Sequence, residues 1–190
     1  MLFHYRAEIV QLLVSPAHAY FGRSKDGPAA DVSTELVDRV EIVANKGIRG
    51  DRFFGVKAHT EAAMTFLAAE AWEAAGDVLG TDMPDPSVAR RNVVVRGVEL
   101  DPLRGIEFEF EFDSGEGTVR FRGGRPAHPC SWMDSMVIPG ARKALIGRGG
   151  LRTEPLNDGI LRVGPVTLHS PVELDAAKAS SQVKRAQPLR

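Results

Sequence analysis

Ile106–Phe112, IEFEFEF, decides the fold. Its period is two: Ile106, Phe108, Phe110 and Phe112 share one face, and Glu107, Glu109 and Glu111 share the other. Side chains on alternating faces mark a β-strand, and one apolar and one charged face put that strand on the wall of a half-solvated sheet. Across DSGEG, the stretch TVRFR alternates in the same way, with Val119 and Phe121 inward and Thr118, Arg120 and Arg122 outward. The pair reads as a hairpin with facing Glu and Arg rows, each good pair worth roughly 0.2–1 kcal/mol. These carboxylates are expected to be structural, not catalytic.

Working outward, the chain reads as short strands punctuated by Gly and Pro. Glu8–Ser15 suits a buried strand, Pro16–Ser33 a loop, and Leu36–Ala44 a second strand rich in β-branched residues. KGIRGDRFFG, Lys46–Gly55, carries three glycines in ten residues and predicts a structured turn. Leu67, Ala71, Ala74 and Val78 fall on one helical stripe, predicting a packing helix ended by Gly76 or Gly80. RRNVVVRGVEL, Arg90–Leu100, is a β-branched run broken at Gly97. Ala141–Arg148 reads as a short helix closed by Gly149 and Gly150. Strands are expected at Leu151–Glu154, Ile160–Val163 and Val166–Ser170, with Gly164-Pro165 as a turn.

Many short strands with few helices predict a mainly β, mixed α+β chain, built as a closed or nearly closed mixed β-barrel with a few short helices. Its interior should contain Phe108, Phe110, Val93 and Val95. The length suits a single domain over residues 1–175, followed by a polar, frayed tail over 176–190. Apolar residues at 43% suffice for one core. The 24 basic and 25 acidic residues nearly cancel, which argues against a general nucleic-acid binder. No signal peptide and no membrane-length apolar run is read. A single cysteine fits a reducing, cytoplasmic setting.

That cysteine, Cys130, lies in PAHPCSWMD, Pro126–Asp134, a stretch too polar and Pro-rich for a buried strand. Three readings compete: an inert small side chain, a nucleophile activated by His128 or by nearby arginines, or the single protein ligand of a soft metal. The spacings of common metal clusters, phosphate loops and nucleophile elbows are missing from the sequence. Arginines stand out instead. Arg49 and Arg52 flank the glycine turn, Arg90 and Arg91 precede a strand, and Arg142, Arg148 and Arg152 follow the cysteine. Guanidinium groups match phosphate oxygens and favour a neighbouring thiolate.

The ordered set KGIRGDRFFG, RRNVVVRGVEL, PCSWMD and GGLRTEPLNDGILRVG resembles a MOSC domain, the family named for the C-terminal domain of molybdenum cofactor sulfurases. The resemblance spans about Ala7–Pro171. It implies a mixed β-barrel and a molybdenum cofactor of the molybdopterin type. By motif match, Cys130 takes the role of molybdenum ligand or sulfur carrier, and Arg52, Arg91 and Asn92 that of cofactor binders. It also implies a reductase acting on N-hydroxylated compounds with a separate reductase partner, or a sulfur carrier loaded by a cysteine desulfurase. Without the desulfurase domain of the sulfurases, this chain is not expected to bind pyridoxal phosphate, nor nucleic acid or membrane. Two positions depart from the family pattern: Phe53 stands where relatives carry His, and Pro165 where an Asp often follows the Gly. A non-catalytic β-barrel binding module is the remaining alternative. Arg52 and Arg91 should converge on Cys130 if the cofactor reading holds.

Overall fold

The computed structural model describes residues 1–113, 115 and 117–184. Ser114 and Glu116 of the expected hairpin turn, and residues 185–190 of the expected tail, lie outside the described residues. The strands are β1 (Phe3–Val14), β2 (Glu35–Val37), β3 (Arg39–Val43), β4 (Gly47–Ile48), β5 (Met64–Ala68), β6 (Val93–Arg96), β7 (Glu107–Phe112), β8 (Gly117–Pro126), β9 (Leu151–Pro155), β10 (Gly159–Arg162) and β11 (Gly164–Ser170). The helices are α1 (Ala69–Leu79), α2 (Trp132–Met136) and α3 (Ala141–Ala144), with short 3-10 turns between elements.

Seven strands close a mixed barrel in the order β11-β7-β8-β9-β5-β6-β1, and β1 pairs back onto β11. The length of β1 makes closure possible. Phe3–Ile9 pair with β11, Glu8–Leu12 with β6, and Leu12–Val14 with β2. A register shift between Ile9 and Gln11 against β6 bends β1 around the corner. The β5–β6 pair is parallel and is linked through α1; the other ladders are antiparallel. Closure leaves no free edge on the main sheet apart from the short β2. A second sheet, β10-β3-β4, sits beside the barrel.

The alternation of Ile106–Phe112 appears as expected. Phe108, Phe110 and Phe112 are buried, and Glu107 and Glu109 stand opposite Arg122 and Arg120. Phe108, Phe110, Phe121 and Phe66 form an aromatic knot, with Phe66 ring centroids 5.2–6.1 Å from the other three. Val93 and Val95 join the same core. A second apolar cluster, including Leu67, Trp72, Ala89, Trp132, Met133 and Leu145, packs the helices against the outside of the barrel. Among the described residues no helix is long and apolar enough to cross a membrane.

Four expectations need correction. The strand expected over Leu36–Ala44 breaks at Asp38 into β2 and β3, which belong to different sheets. The helical stripe is shifted: Leu67 lies in β5, Val78 is 63% exposed, and Ala71, Trp72 and Ala75 face inward. Trp72 draws its own side of the helix inward because its ring is the largest apolar surface there, and its indole N–H donates to Pro84 O at 2.8 Å. Gly164-Pro165 is no turn but the start of β11, opposite Ile9 and Glu8. Finally, residues 176–184 pack onto the body instead of fraying. Ala179 is buried, Val183 N donates to Gly147 O at 3.1 Å, and Gln182 Nε2 donates to Ala144 O and Ile146 O.

Candidate functional site

Segments far apart in sequence meet in a cleft of about 110 Å³ beside the second apolar cluster. Arg52, Arg90, Arg91 and Cys130 line it together with His18, Tyr20, Phe53, Ala89 and Met133. The convergence of Arg52, Arg91 and Cys130 expected from sequence is present.

Each residue is delivered by local structure. Arg52 belongs to a tight turn in which Asp51 N donates to Ile48 O and Phe54 N to Asp51 O. Asp51 is the hub of that turn. Its fully buried carboxylate accepts from Ser15 N, Phe53 N and Asn92 Nδ2, and lies 3.5 Å from Arg52 Nη1. Arg90 takes the left-handed conformation, with φ of 54°, immediately before β6. Its buried guanidinium donates to Ser15 Oγ, Thr34 Oγ1 and Ala17 O, clamping both ends of the Pro16–Ser33 loop. Arg91 is held by two carbonyls, Gly149 O at 3.2 Å and Ala127 O at 3.3 Å. Cys130 is exposed and sits in irregular backbone, its carbonyl accepting from Met133 N at the start of α2. The expectation of an accessible thiol outside any strand is met.

The charges are unbalanced. Three guanidinium groups line the cleft, and among the described residues the only carboxylate paired with one of them is Asp51. Arg90 and Arg91 are satisfied by hydroxyls and carbonyls, which carry no neutralising charge. Burial pulls all three down from the ordinary guanidinium value. Arg91 falls to about 10, burial outweighing the help from Cys130 and the neighbouring Arg152 and Arg52 adding to the fall. All remain cations at neutral pH. Positive charge held in a partly desolvated cleft is relieved by an anion, and these guanidinium groups could hold an oxyanion or phosphate.

Asn92, expected among the cofactor binders, does not line this cleft. Its side chain is buried, with Nδ2 donating to Leu13 O and Asp51 Oδ2, and Oδ1 accepting from Thr65 N and Thr65 Oγ1. With its amide saturated inside the protein, Asn92 positions Asp51 and, through it, Arg52. His128 lines a different groove. Of the remaining arginines, Arg49 is tied to Glu41 on the surface and Arg148 lines a separate small cavity.

Two cleft residues escaped the sequence reading. His18 comes from the Pro16–Ser33 loop, its ring 5.0 Å from Phe53, with His59 4.8 Å from the same ring. Burial, then Arg52, Arg90 and His59, lower the His18 pKa below the ordinary imidazole value. Tyr20 stacks on Trp132 at 5.0 Å and donates to Val88 O, and the Arg90 guanidinium lies over its ring. Burial raises its phenol pKa. The available signal was a Tyr-Phe pair in a loop otherwise made of small and polar residues.

A soft metal would find one thiol here, Cys130, with the Met133 thioether also in the lining. Among the described residues no group of three or more His, Cys, Asp or Glu is arranged to hold a metal ion. The thiol could ligate a soft metal, and the guanidinium groups could hold a phosphate.

No family model and no curated protein matches the sequence. Solved structures do. The YuaD protein from Bacillus subtilis is similar at a TM-score of 0.66 and 14% identity, over 91% of this chain and 100% of that one. A hypothetical protein is similar at a TM-score of 0.52 and 14% identity, over 87% of this chain and 68% of that one. At that identity the likeness is one of fold.

Proposed function

We propose that this chain is a MOSC-type protein that binds a molybdenum cofactor and serves as a reductase for N-hydroxylated or related compounds. The observation that supports the reading is the meeting of Arg52, Arg91 and Cys130, from three distant segments, in one cleft with unbalanced positive charge. Cys130 would ligate the metal through its thiolate. Arg52, Arg90 and Arg91 would hold the anionic groups, with Phe53, Ala89 and Met133 lining the rest of the cleft. When bound, the cofactor supplies oxygen-atom transfer. Electrons would come from a separate reductase, since one cysteine cannot hold an iron–sulfur cluster. A free, exposed thiol suits a reducing cytoplasmic setting.

One observation favours a second reading. With no further metal-binding group among the described residues, an exposed thiol among arginines also suits a persulfide carrier loaded by a cysteine desulfurase. The test is elemental analysis and sulfane-sulfur assay of protein made in a host that produces the cofactor, on wild type and Cys130→Ser. Molybdenum in the wild type that is lost in the variant is the expected result. Persulfide without molybdenum selects the carrier. A Cys130→Ser protein with unchanged metal, sulfur and activity leaves the residue inert and the reading wrong. The substitution changes little volume, so unfolding temperature should not move.

A further inference from the structure

A second concavity lies apart from the arginine cleft and shares no lining residue with it. It is a groove of about 820 Å³ between the end of α1, α3 and the segment following Ala179. Val78, Leu79, Ile146 and Val183 make its apolar surface, and Lys143 and Lys184 its fixed charge, with the His128 imidazole also in the lining. Among the described residues no acidic side chain lines it. Val78 and Ile146 are 63% and 57% exposed, a cost in water that an occupant would remove.

One wall of the groove is built, not incidental. Gln182 Nε2 caps two carbonyls of the α3 end, Ala144 O and Ile146 O, both at 3.1 Å. The backbone approaches so closely that a Cβ on Gly147, which has φ of 78°, would meet Val183 O at 2.6 Å. A glycine at this position is what lets residues 182–184 close the wall.

We propose that this groove binds a small anionic amphiphile, an apolar body carrying a carboxylate or similar acid. The body would lie on Val78, Leu79, Ile146 and Val183, and the acid would meet Lys143 and Lys184. Size selects a small molecule over a protein partner. The volume falls within the range of about 300–1,000 Å³ for small-ligand sites, whereas a stable protein interface needs about 800 Å² of surface per partner. Charge selects an anion, because the lining carries two lysines and a histidine and, among the described residues, no carboxylate. The proposal is independent of the molybdenum reading.

Decanoate and decyltrimethylammonium, matched in chain and opposite in charge, test it by calorimetry below their micelle-forming concentrations. Decanoate should bind at one saturable site, weaken as salt is raised, and be undetected as the cation. Lys143→Glu with Lys184→Glu should weaken decanoate roughly tenfold or more and admit the cation. Both lysines are exposed, so the fold should survive. Ile146→Asp should also weaken decanoate, and Gly147→Ala should do so by displacing the wall. Equal binding of both amphiphiles, no binding of decanoate, or unchanged affinity in the lysine variant overturns the proposal. So does an acidic amphipathic peptide that displaces decanoate at lower concentration, since the groove would then belong to a protein partner.

Discussion

Individual residues divide here into those that face the ligand and those that hold them in place. His18 faces the cleft and gives it a pH dependence. With its pKa lowered, His18 is neutral in the free protein above the ordinary imidazole value, and it charges only as pH falls below it. Stability linked to this group is present above the unfolded value and lost as pH falls through the folded one. A bound anion offsets the repulsion from Arg52 and Arg90 and draws a proton onto His18. Phosphate or molybdate should therefore bind more tightly as pH falls through the range below about 6.5. His18→Gln should flatten that dependence in a titration series, and an unchanged slope would remove His18 from the site. Asn92 is the opposite kind of residue. Asn92→Ala removes one donor from the buried Asp51 carboxylate and one from Leu13 O, and takes the acceptor from Thr65 N, at a cost of about 1–3 kcal/mol per group left unsatisfied. Chemical denaturation should show that loss even without any ligand, which a residue serving only the cofactor would not produce.

Among the elements, the junction between β9 and the loop before it matters most for the cleft. Gly150 has φ of 104°, and a Cβ there would meet Phe66 O at 2.1 Å. Its neighbour Gly149 supplies one of the two carbonyls that hold Arg91, and Gly150 O accepts from Ala127 N, next to the other. Gly150→Ala should therefore lower stability and oxyanion affinity together, with the first read by thermal melting and the second by calorimetry. Loss of stability with undisturbed affinity would uncouple the junction from Arg91. The facing rows of β7 and β8 are different. Arg122 is half-exposed and ion-paired with both Glu107 and Glu154, and such surface pairs contribute about 0–1 kcal/mol. They set register more than stability, as their alternation indicated.

At the scale of the whole molecule, the barrel is closed around Phe66, which is fully buried against Phe108, Phe110 and Phe121. Phe66→Ala should cost about 3–5 kcal/mol, measured as a fall in denaturant midpoint with unchanged slope. A cost under about 1 kcal/mol would mean that the core collapses to refill the site. What the sequence alone determined was the alternation: Ile106–Phe112 and its partner strand specify a two-faced sheet, and the β-branched run after Asn92 specifies another wall. Period-two burial is a local property, readable within a few residues. The meeting of Arg52 and Arg91 with Cys130 was expected from the resemblance of their motifs, whereas Arg142, Arg148 and Arg152, which follow the cysteine in sequence, do not line the cleft. The split of residues 36–44 between two sheets, the rotation of α1 toward Trp72 and the docking of residues 176–184 were decided only in three dimensions. Each depends on which surface is available to receive an apolar side chain or a backbone hydrogen bond. The same holds for the site: Asn92 and Arg91 are neighbours in sequence, yet one is saturated inside the protein and the other opens on the cleft, because β6 and the Asp51 turn assign them opposite surroundings.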